Sequence, residues 1–526
     1  MEKPKIAVVN TSSELAICFA HVDGVARVVK EAIRAAGGLP FEIRTTAPSD
    51  FIFSPGGAGG YILASRDLVA ADIEVQVEGP QLDGMVCLTS CDKTVPGQLM
   101  AAARTNIPTI LVICGYQPSG EIEGRHVDIE DVFLTAGHVV VGKADAAALE
   151  AMSEVAVRGP GVCSGMGTAN SMHIACEALG MVLPGAAPVL ANSEKMFDYA
   201  RRSGERIVTM IEEGLRPRAI LTAGAIENAL KAVLAVSGSI NCIKHLQAVA
   251  IDAGLDLDVY GIFDRVSEEA PVLSAVRPNG DVSIEAFEAA GGARAVMKRL
   301  EPLLDANAMT VTGRTVGENL ADAQVRDPEV IRPLDRPYST RPPIVIVRGS
   351  LAPEGGIIKL GLREGRSLQF EGPAIVFENA EDALAAIREG RVKSGHVLVL
   401  RGLGPRATPG MGGASRVVFA VDGVGLGPKI AIVTDGQLSG LVNKGLVVGE
   451  VQPEAASGPL GVVEDGDIIS IDAERRTIEL EVKERKLTAR YAERGWVSFP
   501  PLNGWMGIYR DNVQALIRGG VVGRRP

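Results

Sequence analysis

No two of the seven cysteines stand at C-x-x-C spacing, so neither a zinc ribbon nor a thioredoxin-type motif is indicated. They occupy positions 18, 87, 91, 114, 163, 176 and 242. In a reducing compartment a disulfide framework is not expected either, and most of the seven read as buried small apolar residues. No apolar run approaches the ~20 residues needed to span a bilayer. Met1–Lys5 is followed at once by the strand-like run Ile6–Val9, and this opening lacks a signal-peptide pattern. Positive charge is not in surplus: 53 Lys and Arg against 64 Asp and Glu give −11, which argues against nucleic acid or an anionic membrane as partner. The expected setting is the cytoplasm, and the expected partner a small molecule. There is no internal repeat of 20–50 residues and no low-complexity tract.

Two further absences narrow the chemistry. The Gly-rich stretch APSDFIFSPGGAGGYILASRDL (47–68) does not fit G-x-G-x-x-G after a strand, so a phosphate cradle is weakly supported. Ser439, in TDGQLSGLVNKG (434–445), follows a buried strand in a Gly-flanked turn. Gln437 occupies the first Gly position of G-x-S-x-G, and none of the six histidines stands in a local pattern with Ser439. A Ser/His/Asp hydrolase finds little support.

What is present is the composition of a soluble globular protein, 46% apolar and 22% charged with 61 Gly, in a chain too long for one core. Residues 5–9 read as a strand, and a helix follows from about Val22 with Val22, Val25, Val29 and Ile33 on one face and Gly37-Gly38 ending it. Helical and strand patterns alternate to about residue 300, so residues 1–335 read as an N-terminal α/β layered domain with a parallel sheet. The Pro-rich segment IRPLDRPYSTRPP (331–343) is the best boundary. Beyond it, residues 344–526 read as a smaller β-rich, barrel-like domain with strands at Ile344–Val347, His396–Leu400, Lys429–Val433 and Ile468–Ile471. The last pairs with Thr477–Val482, and one helix, Glu381–Glu389, interrupts.

The organising stretch is MVCLTSCDKTVPGQLMAAARTNIP (85–108): a buried strand, a turn carrying Cys91-Asp92-Lys93, and a helix opening near Pro96. A turn at the carboxyl end of a strand is where open α/β sheets place ligands. Thiolates select soft metals and carboxylates hard ones, so this turn can stand between two different metals. A partly buried Cys beside a surface Asp–Lys pair accounts for the same residues. Cys163 stands in a second Gly-rich turn, before a helix starting near Thr168 whose N-terminus favours a thiolate.

CDKTVPGQLMAAARTNIP, GVCSGMGTANSMHIACEALGMVLPG, FDRVSEEAPVLSAVRPNG, RGSLAPEGGIIK and TDGQLSG…VGEVQPEAASGPLG resemble, in this order, the dihydroxy-acid dehydratase family, which includes sugar-acid (aldonate) and phosphogluconate dehydratases. The resemblance runs from about residue 6 to 485. It implies an iron–sulfur cluster, [2Fe-2S] rather than [4Fe-4S], on Cys18, Cys91 and Cys163, with Mg2+ on Asp50, Asp92 and a carbamylated Lys93. It also implies Ser439 as the base. NTSSELAICFAH (10–21) looks like the family's N-x-x-x-[ED]-x-x-P-C-N-x-H stretch.

The implied reaction is loss of water from a 2,3-dihydroxy carboxylic acid to give a 2-keto-3-deoxy acid. The enzyme is then a cytoplasmic hydro-lyase and a homodimer or homotetramer. A sugar acid is favoured over a branched-chain dihydroxy acid, because TDGQLSG and the closing WMGIYRDNVQALIRGG are nearer the sugar-acid branch, although Asn512 stands where that branch has His. Three features depart from the pattern. Gly413, in GPRATPGMGGASRV, replaces a metal-ligating glutamate, with Asp422 as a guess for its substitute. Ile17 and Phe19 replace the Pro and Asn flanking Cys18, and the family's usual N-terminal extension is missing. Gly413 also motivates the alternative of a non-catalytic iron–sulfur-binding paralogue; a hydrolase on the same fold is a third reading.

Overall fold

The computed structural model describes residues 3–53, 59–362, 367–440, 442–494 and 501–523. Part of the Gly-rich 47–68 stretch (54–58) and the closing 524–526 therefore lie outside the described residues. The chain forms two units: Met1–Ile52, Ser65–Gly120 and Val157–Pro342 in the first, and Phe53–Ala64, Glu121–Ala156 and Pro343–Pro526 in the second. The last crossing falls at the end of the Pro-rich segment. Two earlier excursions into the second unit carry no such punctuation in the sequence.

The first unit is built on a parallel four-stranded sheet of β1 (Lys5–Asn10), β2 (Leu39–Arg44), β3 (Gly84–Thr89) and β4 (Thr109–Ile113), in the order β2-β1-β3-β4. All six residues of β3 and all five of β4 are buried, which is why they read as continuous apolar runs rather than alternating ones. The helix Val22–Ala35 buries Val22, Val25, Val29 and Ile33 as the pattern requires, and packs on the helix Glu194–Glu213. Thr94–Thr105 starts two residues before Pro96, so the proline sits in the first turn, where no N–H is missed. It packs against Asn241–Asp252. Thr168–Ala178 begins at the expected residue and is buried along its whole length.

In the second unit a two-stranded sheet, β5 (Gly120–Ile122) with β6 (Arg125–Val127), precedes the main sheet. The main strands are β7 (Ile344–Val347), β8 (Gly355–Lys359), β9 (Gln369–Phe377), β10 (Val397–Leu400), β11 (Ala431–Thr434), β12 (Leu446–Gln452), β13 (Ile468–Asp472) and β14 (Thr477–Leu480). Their order is β14-β13-β9-β10-β11-β12-β8-β7, with β9 to β12 parallel and the flanks antiparallel.

The two ends of this sheet meet. Arg348 N donates to Arg476 O at 3.0 Å and Ile478 N to Arg348 O at 3.1 Å, which leaves a nearly closed barrel. Alternate residues fill it: Val345 and Val347, Val397 and Val399, Ala431 and Val433, Leu446 and Val448, Ile469 and Ile471, Ile478 and Leu480 share one apolar cluster. The expected barrel is present. It carries more helix than expected: besides Ala380–Arg388 there are Ser415–Gly423, Glu484–Arg494 and Gly504–Asn512.

Ser415–Gly423 packs on Ile129–Val140, one of the early excursions. A Cβ on Gly137 would lie 2.4 Å from Phe419 Cβ, so only glycine permits that approach. The long-range partner, rather than anything local, assigns this segment to the second unit. Val399→Ala, in the middle of the barrel, is expected to cost about 2 kcal/mol, read as an earlier denaturation midpoint by far-UV circular dichroism.

Candidate functional site

Every loop of interest in the first unit leaves the carboxyl edge of the parallel sheet. From β1 the chain runs through Thr11, whose hydroxyl donates to Leu88 O at 3.3 Å, into the short 3-10 turn Ile17–Phe19 that carries Cys18. From β3 it enters Ser90-Cys91-Asp92-Lys93. From β4 it passes Cys114 to Tyr116, which bridges in parallel to Val162, the neighbour of Cys163.

Side chains bind these loops to one another. Ser90 Oγ donates to Cys18 O at 2.8 Å, His21 Nε2 donates to Cys114 O at 2.6 Å, and His173 Nε2 donates to Ser90 O at 3.0 Å. Asn170 Nδ2 donates to Cys163 O at 2.7 Å and to Gly165 O at 2.8 Å. Burial depresses His21 and brings His173 down to about 4, so both are neutral donors at pH 7.

Cys18 and Cys91 come together, packed with Phe19, Ala16 and Ala47. The Cys91 thiol donates to the Cys18 sulfur; that bond holds Cys18 below the usual thiol value despite burial, with Ser49 assisting. The same bond, with burial, pushes Cys91 up. The pair offers soft sulfur to a metal in a mostly apolar pocket. Cys163 is half-buried, and its backbone is fixed at the same sheet edge. Among the described residues no three His, Cys, Asp or Glu side chains converge on one ion, so the structure gathers two of the three candidate thiols as neighbours. Cys87, Cys114, Cys176 and Cys242 are buried, and burial pushes the first three thiols up, as befits core residues.

The hard donors adjoin the soft ones. Lys93 is fully buried, and its Nζ donates to Asp92 Oδ2 at 2.9 Å and Asp50 Oδ2 at 3.3 Å. This is not the surface Asp–Lys pair that the sequence also allowed. Burial alone would lower the Lys93 ammonium, but the two carboxylates outweigh it and hold it above its usual value. Asp50 keeps 31% of its side-chain surface exposed, yet desolvation and then the Asp92 charge raise its carboxyl well above the carboxylate range. Asp92 Oδ1 is buried and finds no donor among the described residues. Two carboxyl groups on one buried lysine, with one carboxyl oxygen left without a donor, are the kind of oxygen set a hard divalent cation takes.

In the second unit, β11 delivers the turn that carries Ser439. The buried Asp435 carboxylate accepts N–H groups from Leu403 at 2.9 Å, Ala455 at 2.9 Å and Gly402 at 3.3 Å. Burial raises its carboxyl while these bonds oppose the rise. Gly413 bridges to Gln437: Ala414 N donates to Gln437 O at 3.0 Å, and Gln437 N to Gly412 O at 2.9 Å. A Cβ on Gly413 would meet nothing within 4 Å, so a side chain fits there. Asp422 is engaged by His138 Nε2 at 3.1 Å, which removes it as an idle substitute for the missing carboxylate. Ser439 is half-buried, its N–H donated to Ser415 Oγ at 2.8 Å.

Sequence reasoning passed over His21, Ser90, His173, Asp435 and Lys359. The His ending the N-x-x-x-[ED]-x-x-P-C-N-x-H stretch was a signal for His21, and the Asp within TDGQLSG for Asp435. His173 lies within GVCSGMGTANSMHIACEALGMVLPG and Lys359 ends RGSLAPEGGIIK, whereas Ser90 is recognisable only from its contacts.

An α/β layer with paired thiols beside paired carboxylates, followed by a serine loop on a closed barrel, belongs among the carbon–oxygen lyases once set beside known proteins. The chain is a member of the dihydroxy-acid/6-phosphogluconate dehydratase family: the N-terminal family model matches residues 3–319 and the C-terminal model residues 329–520. It is 42% identical over 495 residues to a dihydroxy-acid dehydratase of Ignicoccus hospitalis, covering 94% of this chain and 89% of that protein. It is 40% identical over 525 residues to one of Caldicellulosiruptor saccharolyticus (99% and 95%), and 39% over 530 to one of Methanococcoides burtonii (99% and 95%). It is a hydro-lyase acting on a 2,3-dihydroxy acid to give a 2-keto-3-deoxy acid. No helix among the described residues is long and apolar enough to cross a membrane.

Lys93→Met removes the cation between Asp50 and Asp92. Because Lys93 is held above its ordinary value, its own titration leaves the ion pairs intact below the ordinary lysine value and weakens them as pH rises through the folded one. On the acid side they weaken as Asp50, whose carboxyl is raised, takes a proton. The variant is therefore expected to lose about 3 kcal/mol near pH 7 and less at pH 4, measured by denaturant titration at both.

Proposed function

We propose that the enzyme works with an iron–sulfur cluster, [2Fe-2S] in preference to [4Fe-4S], held by Cys18, Cys91 and Cys163, and with Mg2+ held by Asp50, Asp92 and a carbamylated Lys93, the Lys93 ammonium first losing its proton and the divalent cation then replacing it as counter-charge to the two carboxyl groups. The observation that carries this reading is the juxtaposition of two donor sets on neighbouring residues: the packed Cys18–Cys91 pair and the Asp50–Lys93–Asp92 group, its lysine buried and one of its oxygens orphaned. Both sets fit their groups by hardness. When bound, the two metal centres supply Lewis acidity for the leaving hydroxyl and for the substrate's carboxylate end.

The chain's own residues then do the following. Asp50, Asp92 and Lys93 order the polar end of the substrate site, while Phe19, Ala16 and Ala47 keep water from the thiols. Ser439 takes the proton from C2; the C3–O bond breaks with its electron pair on the departing hydroxide, which takes up the proton that Ser439 gained and leaves as water; the enol tautomerises to the 2-keto acid. A serine hydroxyl is a weak base unless its proton is already drawn off, so positive charge near the loop is required. Within the substrate class, the relatives' printed name supports a simple dihydroxy acid, and the TDGQLSG and closing segments support a sugar acid. The enzyme is proposed to be a cytoplasmic homodimer or homotetramer.

Anaerobically purified protein is expected to carry iron and sulfide and to form a 2-keto acid from an aldonate or from 2,3-dihydroxyisovalerate with added Mg2+. Cys91→Ser should lose visible absorbance and activity together. Ser439→Ala should keep the absorbance and lose at least about 100-fold in kcat; turnover near wild type would remove Ser439 as the base. Gly413→Glu, for which the backbone leaves room, should lower the Mg2+ concentration needed for half-maximal activity, read by titration after chelation.

A further inference from the structure

We propose that Lys359 is a positioning residue for this reaction: its buried ammonium grips the Gly440 carbonyl and sets positive charge beside the Ser439 loop, letting the Ser439 hydroxyl give up its proton near neutral pH. The inference rests on the assignment of Ser439 as base.

Lys359 closes β8, paired with Ile344 of β7. Its neighbour Ile358 belongs to the barrel's apolar cluster, so strand alternation turns Lys359 to the other face. The residue is 6% exposed, and Nζ donates to Gly440 O at 2.5 Å, one residue beyond Ser439. Withdrawing an ammonium from water is costly, and an apolar chain of similar length would fill the same space. The charge is therefore the feature that needs a reason. A serine hydroxyl ordinarily holds its proton far above neutral pH, and nearby positive charge in a poorly solvated place is what lowers it.

Among the described residues, the titratable groups on this loop and the strands beside it include Asp435 at its start, Glu450 on β12, whose N–H reaches Gly436 O, and Lys444 beyond it, while β7 is wholly apolar. Asp435 and Glu450 are buried and would by themselves resist loss of a proton from Ser439. A cation bonded to the loop's own backbone opposes them.

The test uses the cluster-loaded, Mg2+-supplemented enzyme and compares Lys359→Met with Lys359→Arg across pH. The Met variant is expected to lose about 10- to 100-fold in kcat at pH 7 with KM within about twofold, and the rising limb of its kcat–pH profile should move up by about one unit or more. The Arg variant should bring the limb back toward wild type. A Met variant whose limb stays in place, or an Arg variant that behaves like Met, would overturn the inference, because a purely structural lysine moves kcat without moving the limb. Should Lys359→Met not yield folded protein, Lys359→Gln set against Lys359→Arg reads the same limb. Ser439→Ala separates the two claims: if it still turns over, the base assignment fails; if it is dead and the Lys359 limb is unmoved, only the present inference fails.

Discussion

The first unit depends on burying an ammonium against two carboxylates at the carboxyl edge of a parallel sheet. An ion without water is tolerated only where opposite charge and hydrogen bonds replace the solvent, and Lys93 has both in Asp50 and Asp92. That requirement places demands on the surroundings. Asp92 and Lys93 must leave β3 in a fixed direction, so β3 is buried along its whole length and the helix from Thr94 starts without a linker. Asp50 must arrive from elsewhere in the chain, at the start of the short helix Asp50–Phe53. The thiols next door are held in a softer setting, Cys18 and Cys91 packed together against Phe19, Ala16 and Ala47.

Much of this was legible in the chain. The strands of the α/β layer, the helix faces and the barrel's character follow from apolar runs and period-two alternation, which are local signals. The helix from Val22 is an example, with all four of its expected core residues buried. What was not legible depended on partners far away in sequence. Nothing local in Ile129–Val140 says that it will pack on Ser415–Gly423; the enabling feature is the missing side chain of Gly137, and it means something only once Phe419 is opposite. The closing contact of the barrel is likewise a pair of backbone hydrogen bonds around Arg348, and backbone groups leave no mark on side-chain patterns.

The site shows the same division. Cys91, Asp92 and Lys93 announce themselves by adjacency, and Cys18, Asp50, Cys163 and Ser439 by family resemblance. The residues that hold them do not. Ser90 and His173 are ordinary polar residues in sequence, and only their bonds to the Cys18 and Ser90 carbonyls reveal a function. Gly413 was legible as a departure but not in its consequence: the space at its Cβ is empty, and Asp422 is already engaged by His138.

Asp435 bears on how such an enzyme diversifies. Its carboxylate holds three connections, through the N–H groups of Gly402, Leu403 and Ala455, and touches no side chain in doing so. Every amino acid except proline presents the same N–H. The sequence of those connections is therefore free to drift while their geometry persists, and a lineage can exchange the residues facing its substrate without rebuilding the frame. One acid that grips backbone alone is an economical frame for loops whose side chains can change.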